Sequence, residues 1–100
     1  MKITLTKAIE HGGKKITELD LNFEKLSGRD LAEAAKEARL MGDMAPKQDF
    51  TCEYLSAVAA KAAGVAADTI LELPSLDFMR VKAEVEAFLY GWALPTVGKA

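Results

Sequence analysis

Residues 73–92, LPSLDFMRVKAEVEAFLYGW, carry the strongest pattern in this sequence. Their apolar side chains recur at spacings of three and four, as in an amphipathic helix, and form two stripes. At ~100° per residue these stripes lie about 180° apart. The first stripe holds Phe78, Val81, Val85, Phe88, Leu89 and Trp92, and the second holds Leu76, Met79, Ala83, Ala87 and Tyr90. A chain of 100 residues has one modest core, so we expect one stripe to pack inward and the other to need a partner.

The chain before this stretch predicts an antiparallel β-hairpin. Ile3 and Leu5 alternate with threonines, which is the period of a half-buried strand. The Gly12–Gly13 pair can supply the positive φ angles of a tight turn. A second strand is expected over residues 14–23, with a bulge near Ile16 because this residue falls on the opposite face from its apolar neighbours. The predicted inward face of that strand consists of Thr17, Leu19, Leu21 and Phe23.

Three main helices are expected after the hairpin. Ser27 is a good N-cap for the first helix, and Gly42 is a suitable terminator. The second helix is expected from about Asp49 to Ala63. Ser75 is predicted to cap the last helix, which should end at Gly91.

The predicted fold class is therefore α+β, an N-terminal antiparallel β-hairpin followed by three main α-helices. A short helical turn over residues 66–71 would connect the second and last helices. We expect residues 1–92 to form a single α+β domain and residues 93–100 to be a frayed C-terminal tail. Within the last helix, the predicted core residues are Phe78, Val81, Val85 and Phe88.

Composition argues against several classes of protein. The net charge of −2 and the isoelectric point near 5.4 give no basic surface of the kind that nucleic-acid-binding proteins carry. The sequence has no run of about 18 apolar residues, so no membrane span is expected. Its N-terminus alternates in polarity and lacks the apolar segment of a signal peptide. We therefore predict a cytoplasmic protein with neither nucleic acid nor membrane as its partner.

The residues that usually carry chemistry are scarce. His11 and Cys52 are the one histidine and the one cysteine, and nothing in their positions indicates that they meet. A single residue of each type cannot form a zinc site of several His and Cys ligands, or a disulfide within the chain. The Gly12–Lys15 segment has the glycines of a phosphate-binding loop but not its ending, and it fits a turn. We predict no enzymatic activity and no cofactor.

Ser75-Leu76-Asp77 raises a different possibility. Acyl carrier domains are small and acidic, and their modified serine opens a helix in an Asp-Ser-Leu context. Here Pro74 takes the place of the aspartate, and a helix cap explains Ser75 without modification. A carrier-like domain therefore remains a distant third interpretation.

Several short motifs together resemble one known family. They are Ile3-Thr4-Leu5, the second strand from Ile16 to Phe23, Ser27-Gly28-Arg29-Asp30-Leu31, Leu73-Pro74, Asp77-Phe78, Val85 and Phe88-Leu89. In this respect the chain is similar to the tail assembly chaperones of contractile-tailed phages and Mu-like prophages, the E, 41 or 14 type. The resemblance extends over about residues 2–91, and each motif in it is short.

The resemblance implies a non-enzymatic assembly factor in the host bacterial cytoplasm. Such a protein would bind the long, helical tape measure protein and keep it soluble until the tail tube forms. Other tail proteins and a second copy of the chain are further candidate partners. The residues predicted to contact the partner are the second stripe, Leu76, Met79, Ala83, Ala87 and Tyr90.

Two alternatives stay open at this point. The second stripe could be covered by the hairpin within the monomer, because a central helix in a small α+β fold can be buried on both sides. The protein could also be a structural subunit, an oligomeric tail or ring component that stays in the particle.

Overall fold

The hairpin opens the fold of this protein, and four helices follow it. The computed structural model describes residues 2–91. Its elements are β1 (Lys2–His11), β2 (Lys14–Asp20), a 3-10 turn (Phe23–Lys25), α1 (Gly28–Leu40), α2 (Cys52–Ala63), α3 (Ala67–Leu71) and α4 (Ser75–Tyr90). The predicted α+β class, with a hairpin followed by three main helices, is confirmed. Trp92 and the predicted frayed tail lie outside the described residues.

The two strands pair in antiparallel fashion around a large irregularity. Thr4 is opposite Glu18 and Ile9 is opposite Ile16, so residues 5–8 of β1 stand against Thr17 alone. The predicted bulge near Ile16 is thus present, but its extra residues are in β1. Gly12 and Gly13 have φ angles of 59° and 79°, as the tight turn requires.

The second strand is shorter than predicted. It ends at Asp20, and the backbone N–H of Asn22 donates a hydrogen bond to the carbonyl oxygen of Ala62 in α2, at 3.1 Å. Asp20 is paired with Lys2, the first residue of β1, so β2 has no further strand to pair with, and Phe23 lies in the 3-10 turn. Thr17 was predicted to face the core and is exposed, because it lies opposite the irregular part of β1.

Helix α2 is the centre of the helical layer. Every residue from Leu55 to Ala60 is buried, and the helix packs against α1, α3 and α4. Its many alanines lack bulky side chains, so neighbouring helices can approach on several sides. The core formed around it includes Leu19 and Leu21 from the hairpin region, with Val81 and Val85 from α4.

Two of the predicted helix starts are wrong. α2 begins at Cys52, capped by the side chain of Thr51, and not near Asp49. α4 has Pro74 at its N-cap position, while Ser75 is already inside the helix. A serine with helical backbone angles is past the N-cap position, and no side-chain cap is present there. The predicted cap at Ser27 is confirmed and forms a reciprocal capping box, and Gly64 ends α2 in the left-handed conformation.

A buried carboxylate attaches β1 to α4. Asp77 is fully buried and accepts hydrogen bonds from the backbone N–H and the hydroxyl of Thr6, both at 2.9 Å. Arg80 donates to the carbonyl oxygen of Thr4 at 2.8 Å and lies 3.5 Å from the Asp77 carboxylate. The two side chains thus bind one donor and one acceptor of the strand backbone, as a neighbouring strand would.

A second buried carboxylate organises the connector between α1 and α2. Asp43 accepts hydrogen bonds from the backbone N–H of Ala45 at 3.0 Å, from Gln48 at 3.0 Å and from the Thr51 hydroxyl at 2.8 Å. Burial raises the pKa of the Asp43 carboxyl, but these bonds and the nearby positive charge of Arg39 outweigh burial and lower the pKa below its ordinary value. The connector is therefore held in one conformation by a charged residue.

Replacing Asp77 by alanine should destabilise the fold, because both Thr6 donors would lose their acceptor and the space of a fully buried side chain would be left unfilled. We expect the free energy of unfolding to fall by about 3 kcal/mol, measured by urea denaturation followed by circular dichroism. Glu72→Ala, which removes an exposed carboxylate just before α4, is the control and should change stability by less than about 0.5 kcal/mol. Equal losses in the two variants would contradict the role given to Asp77.

The lowered pKa of Asp43 predicts a pH-dependent contribution to stability. An ionised Asp43 stabilises the fold above its unfolded pKa of about 3.9, and this contribution is lost as the pH falls through the lower folded pKa. Asp43→Asn should therefore be less stable than the parent at neutral pH, and the difference should shrink in acid. Urea denaturation at about pH 7, 5 and 3 measures it. A difference that stays constant over this range would show that the charge of Asp43 does not matter.

Candidate partner-binding face

The outer face of α4 is open to solvent over most of the predicted contact residues. The side chains of Leu76 and Met79 are 61% and 57% exposed, and Ala83 and Ala87 are also exposed. The opposite side of the helix is buried through Val81 and Val85. The hairpin therefore does not cover this stripe, and the alternative that it is buried within the monomer is wrong for these four residues.

The hairpin attaches to the side of α4 and leaves its outer face free. At ~100° per residue, Arg80 and Asp77 lie about 60° and 120° around the helix from Ala83. Both hold β1, so the strand flanks the outer face without crossing it. No hydrogen-bond partner of Asp77 was predicted from the sequence. Asp77 lies beside the buried stripe of α4, and this position was the available signal. A carboxylate that is buried there needs hydrogen-bond donors.

Tyr90 is anchored, in contrast to the rest of the predicted stripe. Its ring packs on Phe50 with centroids 4.7 Å apart, and its hydroxyl donates a hydrogen bond to the carbonyl oxygen of Asp49. Burial raises the pKa of Tyr90 to about 12, with smaller contributions from Tyr54, Asp49 and Glu86. Tyr90 is therefore neutral at physiological pH, and its side chain lines one end of the exposed face. The large aromatic surface available to a partner belongs to Phe50, which is more exposed.

The predicted core stripe also has one exception. Phe88 is 36% exposed and stacks on Phe23, with centroids 4.7 Å apart and an angle of 10° between the rings. Phe88 therefore covers the edge of the core, whereas the sequence pattern predicted that it would be buried inside the core. Phe78 is partly buried and packs against the core, whereas Val81 and Val85 are buried as predicted.

Two shallow depressions lie end to end along α4. One has a volume of about 360 Å³, and the other has a volume of about 310 Å³. The first is lined by Cys52, Leu71, Leu73, Ser75, Phe78 and Met79, and the second by Phe50, Ala83, Glu86, Ala87 and Tyr90. Met79 and Ala83 are one helical turn apart, so the depressions adjoin. We call these two depressions together with Leu76 the α4 groove.

Three groove residues from outside residues 73–92 were not predicted from the sequence. Phe50 lies in the connector two residues before α2, Cys52 begins α2, and Leu71 ends α3. The Asp43 hydrogen bonds fold the connector, and the bond from the Tyr90 hydroxyl to the Asp49 carbonyl oxygen joins it to α4 beside Phe50. Phe50 is the one aromatic residue of the connector, and this was the available signal for it. No sequence signal pointed to Cys52 or Leu71, since each falls within an ordinary helical pattern.

The groove is lined mainly by apolar side chains, and few of its residues could bind a metal ion or react with a substrate. Among the described residues, no group of three or more His, Cys, Asp or Glu side chains is arranged to hold a metal ion. Cys52 is exposed at the beginning of α2, whereas His11 is at the end of β1. Within residues 2–91, no helix has the length and apolar character needed to cross a membrane.

Comparison with known proteins identifies the family. No curated protein and no solved structure matches the chain. Residues 2–90 match the model of a family described as phage tail assembly chaperone proteins, E, or 41 or 14. The match extends from β1 to the last residue of α4, and it includes every element that forms the groove. This chain therefore belongs to the phage tail assembly chaperone family, whose described role is assembly and not catalysis.

Proposed function

We propose that this protein binds the tape measure protein of its phage or prophage and keeps it soluble in the host bacterial cytoplasm during tail assembly. The observation that carries this proposal is the α4 groove, an exposed apolar surface on a helix whose other side is core. Family membership indicates that the protein acts in tail assembly, and the groove offers a surface on which a helical tail protein can dock. Nothing in this role requires catalysis or a cofactor.

The shape of the groove suits an amphipathic helix. α4 has 16 residues and is therefore ~24 Å long, enough for more than four turns of a partner helix. Ala83 and Ala87 permit close approach of a second backbone, and Met79 can adapt its side chain to different neighbours. Phe50 adds an exposed aromatic ring beside them, a residue type enriched at protein interfaces. These properties match recognition of a helix in a groove.

The charges beside the groove are balanced. Arg80 and Glu84 lie on the side that faces β1, while Lys82 and Glu86 lie on the other side. A partner would therefore gain most of its binding free energy from apolar contact, with little dependence on its net charge. A site of this kind can accept many segments of one long helical protein, as a solubilising chaperone must.

Replacing two exposed apolar residues of the groove tests this proposal. Leu76→Asp combined with Met79→Asp should abolish capture of the tape measure protein, with affinity reduced by at least about 100-fold, because two apolar contacts are lost and two charges would be buried. Both side chains are more than half exposed, so the variant should stay folded. The measurement is the amount of soluble tape measure protein that a tagged chain retains on co-expression. Tyr90→Asp is less suitable, because Tyr90 packs on Phe50.

The chain offers a matched control elsewhere on its surface. Leu40 and Met44 are 88% and 83% exposed, and neither lines the α4 groove. Leu40→Asp combined with Met44→Asp therefore makes the same chemical change away from the groove and should retain capture. Equal loss in both double variants would contradict a site at the groove. Recovery of the chain in purified phage particles would favour a structural tail or ring subunit instead.

A further inference from the structure

We propose that the α4 groove also binds a second copy of this chain, with the two α4 helices antiparallel and Ala83 at the twofold axis. Ala83 is exposed near the middle of the groove, where its small side chain allows two helices to come close. An isologous pair of this kind closes on itself and buries the same face of both copies. It covers an apolar surface that a single copy leaves open to water.

The apolar residues are spaced nearly symmetrically about Ala83. In an antiparallel pair, residues whose numbers sum to 166 lie opposite each other. Met79 then contacts Ala87 of the second copy, and Leu76 lies opposite Tyr90. The large Met79 side chain thus meets a small one, whereas Leu76 packs on the aromatic pair that Tyr90 forms with Phe50. The two surfaces can interdigitate around Ala83 and Ala87, where the side chains are small.

The charges select the antiparallel orientation. At ~100° per residue, Lys82 and Glu86 lie about 100° and 60° from Ala83 on one side of the groove. Antiparallel pairing about Ala83 brings Lys82 of each copy beside Glu86 of the other, offset by only about two residues, or ~3 Å of helix rise. The two Lys82 side chains are separated by the same rise, so this side gains two opposite-charge pairs for one like-charge pair. Arg80 and Glu84 meet in the same way on the other side. A parallel pair in register would instead place Arg80 beside Lys82, so charge complementarity sets the orientation.

The size of the contact predicts a weak dimer. A single pair of α4 helices offers a footprint of about 24 by 10 Å, which is well below the ~800 Å² per partner of a standard stable interface. Such a dimer exchanges readily. One consequence for partner binding rests on the function proposed above. If the tape measure protein uses the same groove, it and the second copy exclude each other. The dimer then shields the groove until a tape measure segment displaces it.

Charge reversal on the side of Lys82 and Glu86 tests the arrangement. Sedimentation velocity of the full chain, from about 5 to 500 μM, should show a monomer–dimer equilibrium. Lys82→Glu should raise the dissociation constant by about tenfold, because each copy would then present carboxylates to the Glu86 carboxylate of the other. Combining Lys82→Glu with Glu86→Lys should restore the affinity, since the complementary pairs return with their signs exchanged. Leu76→Asp combined with Met79→Asp should abolish the dimer, with circular dichroism confirming that each variant is folded.

Three outcomes would overturn this inference. A chain that is monomeric at every concentration has no such dimer. A dimer that Lys82→Glu leaves unchanged, or that the double exchange fails to restore, uses another surface or another orientation. A tape measure segment that joins the intact dimer without dissociating it would disprove the shared groove. Capture of the tape measure protein is scored separately on the parent chain, so failure there would count against the proposed function and leave the dimer standing.

Discussion

The buried hydrogen bonds between Asp77 and Thr6 determine how the two halves of this protein are joined. A two-stranded ribbon is marginally stable by itself and must pack on something else. Because a fully buried carboxylate is costly unless donors surround it, Asp77 ties β1 to one side of α4, and Arg80 extends the attachment to Thr4. This sideways attachment decides which part of α4 stays accessible. Had the hairpin crossed the helix at Ala83, the chain would have had no groove.

The other border of the groove depends on α2 and its connector. An alanine-rich central helix lets three other helices approach it and places its own N-terminal end beside α4. The connector before it is folded by the Asp43 carboxylate and is joined to α4 where Tyr90 contacts Asp49 and Phe50. Two buried carboxylates, each satisfied by hydrogen bonds, thus define the two sides of an apolar surface. Polar interactions set its position, and apolar side chains form most of its surface.

An exposed apolar face in a protein this small fits a family that acts through binding. Single exposed apolar residues such as Leu40 are common on protein surfaces, but a continuous groove with an aromatic rim indicates an interaction site. In the function proposed above, the face has to be available to a helical partner without causing aggregation beforehand. The proposed weak dimer meets both requirements, since it shields the groove and yields to a tighter partner.

Local sequence signals specify the turns and several helix ends. Paired glycines, the Ser27 cap and the Gly64 terminator act through backbone preferences that extend over a few residues. The spacing of apolar residues likewise predicted two faces on α4. Long-range packing determines which face is buried, that Asp77 holds the hairpin, and that Phe50 replaces Tyr90 as the exposed aromatic. Periodicity shows which residues share a face, but burial depends on segments distant in the chain, such as residues 6 and 77, that no local pattern relates.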